Sequence, residues 1–184
     1  MHVLGKDPIE LEDDARLARR TRALSFITAD HLDIKPAIRN EVVWAIAGDE
    51  LRKMETFDAP CDKIACVVNC CSVLFSVLNL ARGDGDSRPG ADDFLPVFIF
   101  VVLRARVPNL WVHSEYVRKF RNPADLMSKA GYCFVNLQSA IEFILNVDGS
   151  MLSIDENEFD RKLKENEAAV DAEDARVKAK LGLA

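Results

Sequence analysis

Two adjacent carboxylates, Asp92 and Asp93, stand in GADDFLPVFIFVV, residues 90–102, ahead of a stretch that is apolar at almost every position from Phe94 to Leu103. At a helix N-terminus such acids satisfy free backbone N–H groups and complement the helix dipole, and spacing alone favours that capping role. Pro96 sharpens the geometry. Its ring clashes with a helical carbonyl four residues back, so the helix cannot extend before about Asp92, which sits at the exposed tip. Neighbouring residues at a tip diverge, and neither an acid–base partner nor a metal motif accompanies them; this argues against a carboxylate-based hydrolase.

Other groups that could do chemistry are weaker. Cys61, Cys66, Cys70 and Cys71 crowd one apparent helix at helical rather than knuckle spacing, so they read as small core thiols instead of a zinc site. With Cys133 they number five, an odd count that fits a reducing cytosol better than a disulfide framework. DGDSRPGADD, from Asp84, has Arg88 where a calcium loop needs a third oxygen ligand and no glutamate at the twelfth position. His2, His31 and His113 lack a serine or cysteine partner, and no glycine-rich phosphate loop is present. A mixed stripe, Tyr132, Val135, Asn136 and Ser139, recurs at i, i+3, i+4 and i+7; periodicity alone makes it a partly buried helix seam.

The elements that position these residues are helical. Leu17, Thr21 and Leu24 mark a first helix within residues 11–25, acidic early and basic late. Pro36 opens a second that runs to about Thr56 through Ile38, Val42, Ala45 and Ile46. Asp62 caps a third, with Ile64, Val67, Val68, Cys71, Phe75 and Leu78 on its apolar face and Ala65, Asn69, Ser72 and Ser76 opposite. Residues 81–90 form the longest flexible loop. Pro108 ends the helix that begins near Asp92; Leu110, Tyr116 and Phe120 mark a short one. Asn122, Pro123 and Asp125 start another, which Gly131 stops. Tyr132 to about Val147 is helical over Phe134, Leu137, Ile141 and Ile144, with Gly149 ending it. SIDE, residues 153–156, reads as a capping box for a last helix, solvated or frayed beyond Glu165.

With no alternating run to suggest a sheet, the class is all-α with six to eight helices. A chain of 184 residues, 49% hydrophobic, favours one globular domain with a helical extension. Its net charge of -6 disfavours nucleic acid and anionic lipid as partners. The start MHVLGKDPIELEDD is unlike a signal peptide, and the apolar runs fall short of the ~18 residues of a membrane span, so a soluble intracellular protein with no direct membrane anchor is expected.

GADDFLPVFIFVVLRARVPNL, then EYVRKFRNPADLM, then GYCFVNLQSAIEFI resembles the catalytic core of the vacuolar-protein-sorting-nine (Vps-nine) domain, the guanine nucleotide exchange module for the Rab-five subfamily of small GTPases. DAPCDKIACVVNCCSVL is similar to the helix that opens that domain, and TRALSFITADHLDI to part of the helical bundle that packs before it. The resemblance spans most of residues 16–165. It implies a layered helical core at 58–150, a small N-terminal helical bundle at 1–57, and a C-terminal helix and charged tail at 151–184.

By this resemblance Asp92 is the acidic finger, Pro96 the motif's proline and Tyr132 the tyrosine of the GTPase groove. Asp93, Pro96, Val135, Asn136 and Ser139 are the expected GTPase-binding residues, Asp93 being the better helix cap of the acid pair. The implied activity is GDP/GTP exchange without covalent chemistry or cofactor, on a Rab-five-type GTPase in its GDP-bound and nucleotide-free states. The setting is endocytic and endosomal traffic: cytoplasmic, recruited peripherally to early endosomes, with further partners through flanking regions. Val135 stands where the family commonly has threonine, keeping the shape and losing a hydroxyl; the alternative is therefore a non-catalytic Rab-binding or scaffold module with weakened exchange. Trp111, Val112 and His113 also replace more polar residues and could tune GTPase choice.

Overall fold

A computed structural model describes residues 8–80, 91–121, 124 and 128–182. Seven α-helices make up the described chain: α1 Pro8–Ala23, α2 Glu41–Arg52, α3 Pro60–Leu80, α4 Ala91–Ala105, α5 Leu110–Phe120, α6 Lys129–Asn146 and α7 Glu156–Lys180. Short 3₁₀ turns occupy Leu24–Phe26, Pro36–Ile38, Lys53–Thr56 and Gly149–Met151. No strand occurs among the described residues, so the all-α class stands.

Helix α3 is the hub, packing on α2, α4, α5 and α6. Its 21 residues are long and apolar enough to cross a membrane by length and composition, contrary to the expectation from run lengths. One broad face of the helix packs against protein: Ile64, Cys66, Val67, Cys70, Cys71, Leu74 and Leu78 are all buried. The cysteines are free, with only Cys61 exposed; burial pushes the Cys70 thiol up, away from thiolate chemistry. Lys63 is also buried, and its ammonium donates to the carbonyl of Met54 at 2.7 Å, closing the end of the preceding 3₁₀ turn.

Helix α4 lies beside α3, between α2 and α6. Phe94 and every residue from Val97 to Leu103 are buried, so solvent reaches the helix at Asp92, partly at Asp93, Leu95 and Pro96, and at Arg104 near its end. A single apolar core then continues from Leu17 in α1 to Phe159 in α7.

Several helix ends differ from the sequence expectation, each for a local reason. Pro36 starts only a 3₁₀ turn; α2 begins after Asn40, whose side chain accepts from the Val43 N–H at 3.1 Å. Asp62 lies inside the first turn of α3, since the amides of Asp62 and Lys63 already donate to the Ala59 carbonyl. Gly131 does not stop a helix: Ser128 caps α6, which runs through a buried Gly131, and Val147 rather than Gly149 is its C-cap. The SIDE box does not form, because Asp155 caps α7 by accepting from the Glu158 N–H at 3.0 Å while the Ser153 hydroxyl is taken by Asp33. Beyond Glu165 the chain stays helical to Lys180, with Val170 buried and Asp171 paired to Arg19 of α1. Asn122, Pro123, Asp125 and residues 84–90 lie outside the described residues.

Candidate functional site

Four aromatic rings form one cluster where α3, α4 and α6 meet, and only Tyr132 of the four reaches the groove described below. Phe75 of α3 stacks on Phe94 of α4 with centroids 4.4 Å apart, and Phe94 stacks on Phe98 one turn later at 5.5 Å. Tyr132 of α6 leans on this stack, 6.0 Å from Phe94 and 6.2 Å from Phe75. One face of the tyrosine is therefore held by core aromatics while 43% of the residue stays exposed. Its backbone is fixed too, by Ser128 at the helix start and by Lys129, whose ammonium donates to Ser72 Oγ of α3 at 2.9 Å.

Across from Tyr132, the first turn of α4 presents Asp92. Pro96 has no N–H to offer the Asp92 carbonyl, so the turn is not closed by the usual bond and the residue stays at the tip. The Asp92 side chain is exposed and makes no hydrogen bond or ion pair with another described residue. Asp93, like Asp92, lies within the first turn of α4 rather than ahead of it, so it is not the residue preceding the helix; it differs in that its side chain is only 13% exposed and pairs with Lys35 at 2.8 Å. The pair ties the chain before α2 to the tip of α4.

Between these points an open groove of about 580 Å³ is lined by Asp92, Leu95, Pro96 and Ile99 of α4 and by Tyr132, Asn136 and Phe143 of α6. The Asn136 amide donates back to the Tyr132 carbonyl at 2.8 Å, which fixes its rotamer along the groove wall. Val135, 59% exposed, and Ser139 stand on α6 beside the groove without lining it. Periodicity alone reads the whole stripe as a helix seam; in the structure Tyr132 packs on Phe94 of α4, Val135 and Ser139 are exposed, and Phe134, Leu137 and Ile141 form the buried stripe of α6.

Sequence reasoning missed one wall. His31, Leu32 and Asp33, from the segment after α1, and Met151, from the 3₁₀ turn before α7, complete the groove. Neither segment has periodicity or a motif that points to a site. Burial and the nearby Lys162 ammonium push the His31 imidazole below its ordinary value.

An open groove of this kind, apolar along its floor and acidic at one end, suits a protein surface better than an enclosed small molecule. The class it defines is a helical docking module. The vacuolar sorting protein 9 (VPS9) domain family matches residues 44–149, more than half of the chain, and the chain belongs to that family. It is 39% identical over 163 residues to vacuolar protein sorting-associated protein 9A of Oryza sativa subsp. japonica, covering 88% of this chain and 34% of that protein. It is 36% identical over 158 residues to vacuolar protein sorting-associated protein vps901 of Schizosaccharomyces pombe, covering 85% and 27%. A third relative, the Rab5 GDP/GTP exchange factor of Homo sapiens, is 33% identical over 154 residues, covering 80% and 30%. The chain thus spans about a third of the length of these relatives.

Proposed function

We propose that this chain is a guanine nucleotide exchange factor for a Rab5-type GTPase, with Asp92 as the group that enters the nucleotide site. The observation that carries the reading is the exposed Asp92 carboxylate, without a partner among the described residues, at the tip of a largely buried helix and across one groove from Tyr132. A free carboxylate so placed is desolvated only when a partner arrives, and a cation on that partner is what would offset the cost.

A GTPase holds GDP through its phosphate-cradling loop, that loop's lysine and a magnesium ion. Asp92 competes for the lysine with its own negative charge and repels the β-phosphate, while Tyr132, Pro96, Val135 and Asn136 take the apolar switch surface. Ser139 extends the contact along α6, and Asp93 acts at the rim through Lys35. No covalent bond changes. Linkage makes the effect reciprocal: the factor lowers nucleotide affinity by the same ratio that nucleotide lowers its own, so incoming GTP releases the complex. The cellular setting is endosomal traffic, with the chain cytoplasmic and recruited peripherally to early endosomes.

Release of fluorescent GDP from a Rab5-type GTPase tests this. Catalytic amounts of the wild-type chain should accelerate release, and Asp92→Ala should lower kcat/KM on the order of a hundredfold, the scale of removing one preorganised charge, with an unchanged helical signal. Equal rates for the two proteins would remove Asp92 from the mechanism. A second reading, a Rab-binding scaffold without efficient exchange, is favoured by the exposed Val135, which offers methyl groups where a hydroxyl could bond. Tight GTPase binding with no faster release would select it.

A further inference from the structure

The groove has three walls, and two of them account for the reading above. The third is assembled from segments far apart in the chain. Leu152 and Ile154 pack against the core, which turns Met151 outward, and 52% of this large apolar residue is exposed at the groove. Opposite it, the turn at Ala29–Ile34 brings Asp33 to the surface with φ of 53°, a left-handed conformation that aspartate tolerates better than most residues.

The two segments are latched to each other. The Ser153 N–H donates to the His31 carbonyl at 2.9 Å, and the Ser153 hydroxyl donates to Asp33 Oδ1 at 2.6 Å. Close packing fixes the far end: a Cβ on Gly149 would lie 2.9 Å from Glu156 Cα, so the turn rests directly on α7. The Lys35–Asp93 pair holds the other end against α4. A wall built this way is preorganised, and little ordering entropy is lost when it meets a partner. Its chemistry is also incomplete within the chain. The second Asp33 carboxylate oxygen has no partner among the described residues, and Met151 is apolar surface without cover.

We infer that this third wall, Met151 with Asp33 across the Ser153 latch, is a further recognition surface for the GTPase in the groove, Met151 taking an apolar side chain and Asp33 a basic one. The inference rests on the proposal that a Rab5-type GTPase occupies the groove. It makes partner selection a property of four chain regions instead of the two helices α4 and α6. Continuity supports it, since the wall and Asp92, Pro96, Tyr132 and Asn136 line one groove that a single surface must cover. Charge complementarity supports it as well, because Asp33 and Asp92 place a carboxylate on each of two walls.

The test measures binding of nucleotide-free Rab5-type GTPase alongside release of fluorescent GDP, for the wild-type chain, Asp92→Ala, Met151→Glu, Met151→Leu and Asp33→Asn. Met151→Glu should weaken binding about tenfold or more, as expected when a charge replaces an apolar contact, while Met151→Leu stays within about twofold. Asp33→Asn keeps an oxygen for the Ser153 hydroxyl, so the latch survives; it should weaken binding about threefold and flatten its salt dependence. A change in salt slope is something a purely structural loss would not produce. Wild-type binding in Met151→Glu and Asp33→Asn, with Asp92→Ala inactive, overturns the wall and leaves the exchange reading standing. Weakened binding in both, from a wild-type chain that binds without releasing GDP, supports the wall and overturns the exchange reading. A wild-type chain that does not bind the GTPase overturns both.

Discussion

The α4–α6 groove and the α1–α7 seam are both made of facing helical surfaces, yet they are completed in opposite ways. Along the seam the side chains answer one another: Arg19 donates to both oxygens of Asp171 at 2.9 Å, Arg22 pairs with Asp174 and Glu173 at 2.6 Å each, and Asn166 donates to the Ala23 carbonyl at 2.9 Å. In the groove Tyr132 and Met151 expose apolar surface, Val135 does so beside it, and Asp92 has no partner among the described residues. A seam whose arginines and carboxylates mostly pair with one another holds the chain together and offers little to another molecule. The groove leaves apolar area and one carboxylate to be completed from outside, so its stability cost and its binding capacity arise from the same residues.

The largest expected effect comes from breaking the groove from beneath. Phe94 is 1% exposed and packs on the other three rings of the cluster, so Phe94→Ala should cost about 3–5 kcal/mol of unfolding free energy. Urea denaturation followed by circular dichroism checks it. A loss below 1 kcal/mol would mean that the aromatic cluster does not support Tyr132.

Next comes Gly149→Ala, where the added methyl meets Glu156 Cα at 2.9 Å and Phe159 Cβ at 3.2 Å. Neither atom is the free end of a flexible chain, so the 3₁₀ turn must shift, at about 1–3 kcal/mol. Thermal denaturation reads the stability loss. Weaker GTPase binding in the same variant would sharpen the link between this turn and the third wall.

Acid should weaken the fold before it touches the carboxylate pairs of the seam. His113 is buried with Nε2–H donating to Glu55 at 2.6 Å, and burial outweighs that carboxylate in pushing its imidazole below the usual value; His31 is pushed the same way. The unfolded chain then binds more protons than the folded chain in the window just below the ordinary histidine value of 6.5. Stability is therefore full above 6.5 and falls as pH drops from there towards the lowered folded values. Urea midpoints at pH 7.5 and 5.5 should show the drop, and His113→Gln should reduce it. An unchanged midpoint would show that neither ring is held neutral.

Which of these features could be read in advance depended on how local their causes are. Asp92, Pro96 and Tyr132 lie in compact motifs, and the buried faces of α3, α4 and α6 repeat at helical spacing, so the core and two groove walls were visible. The third wall was not, because its latch joins Ser153 to Asp33, residues separated by 120 positions. That same bond removes the Ser153 hydroxyl from the SIDE motif, so a valid local capping rule failed for a tertiary reason. Pro36 and Gly131 show the weaker form of the problem: each is a punctuation residue overruled by a nearby cap, Asn40 in one case and Ser128 in the other. Arginines on α1 could be read as dipole partners of their own helix, but their carboxylates lie about 150 residues away on α7.

Val135→Thr probes the groove without disturbing its support. The residue is exposed, so stability should change by less than about 0.5 kcal/mol. Restoring a hydroxyl that can bond to the GTPase should raise kcat/KM by the equivalent of about 0.5–1.5 kcal/mol, several-fold in exchange rate. An unaltered rate would remove Val135 as the reason for any weak exchange and shift attention to Asp92 and the third wall.

The smallest effect belongs to the seam, and it tests the other half of the comparison. Arg19 and Asp171 are both well exposed, at 45% and 61% of their side chains, so solvent screens the pair despite its two-oxygen geometry. A double-mutant cycle of Arg19→Ala and Asp171→Ala should return a coupling of about 0.2–1 kcal/mol that shrinks as salt is raised. GDP release by either variant should match wild type, because the pair faces α1 and α7 rather than the groove. A loss of exchange at unchanged stability would break the distinction, since a contact that serves only to hold two helices together has no route to the rate except through the fold.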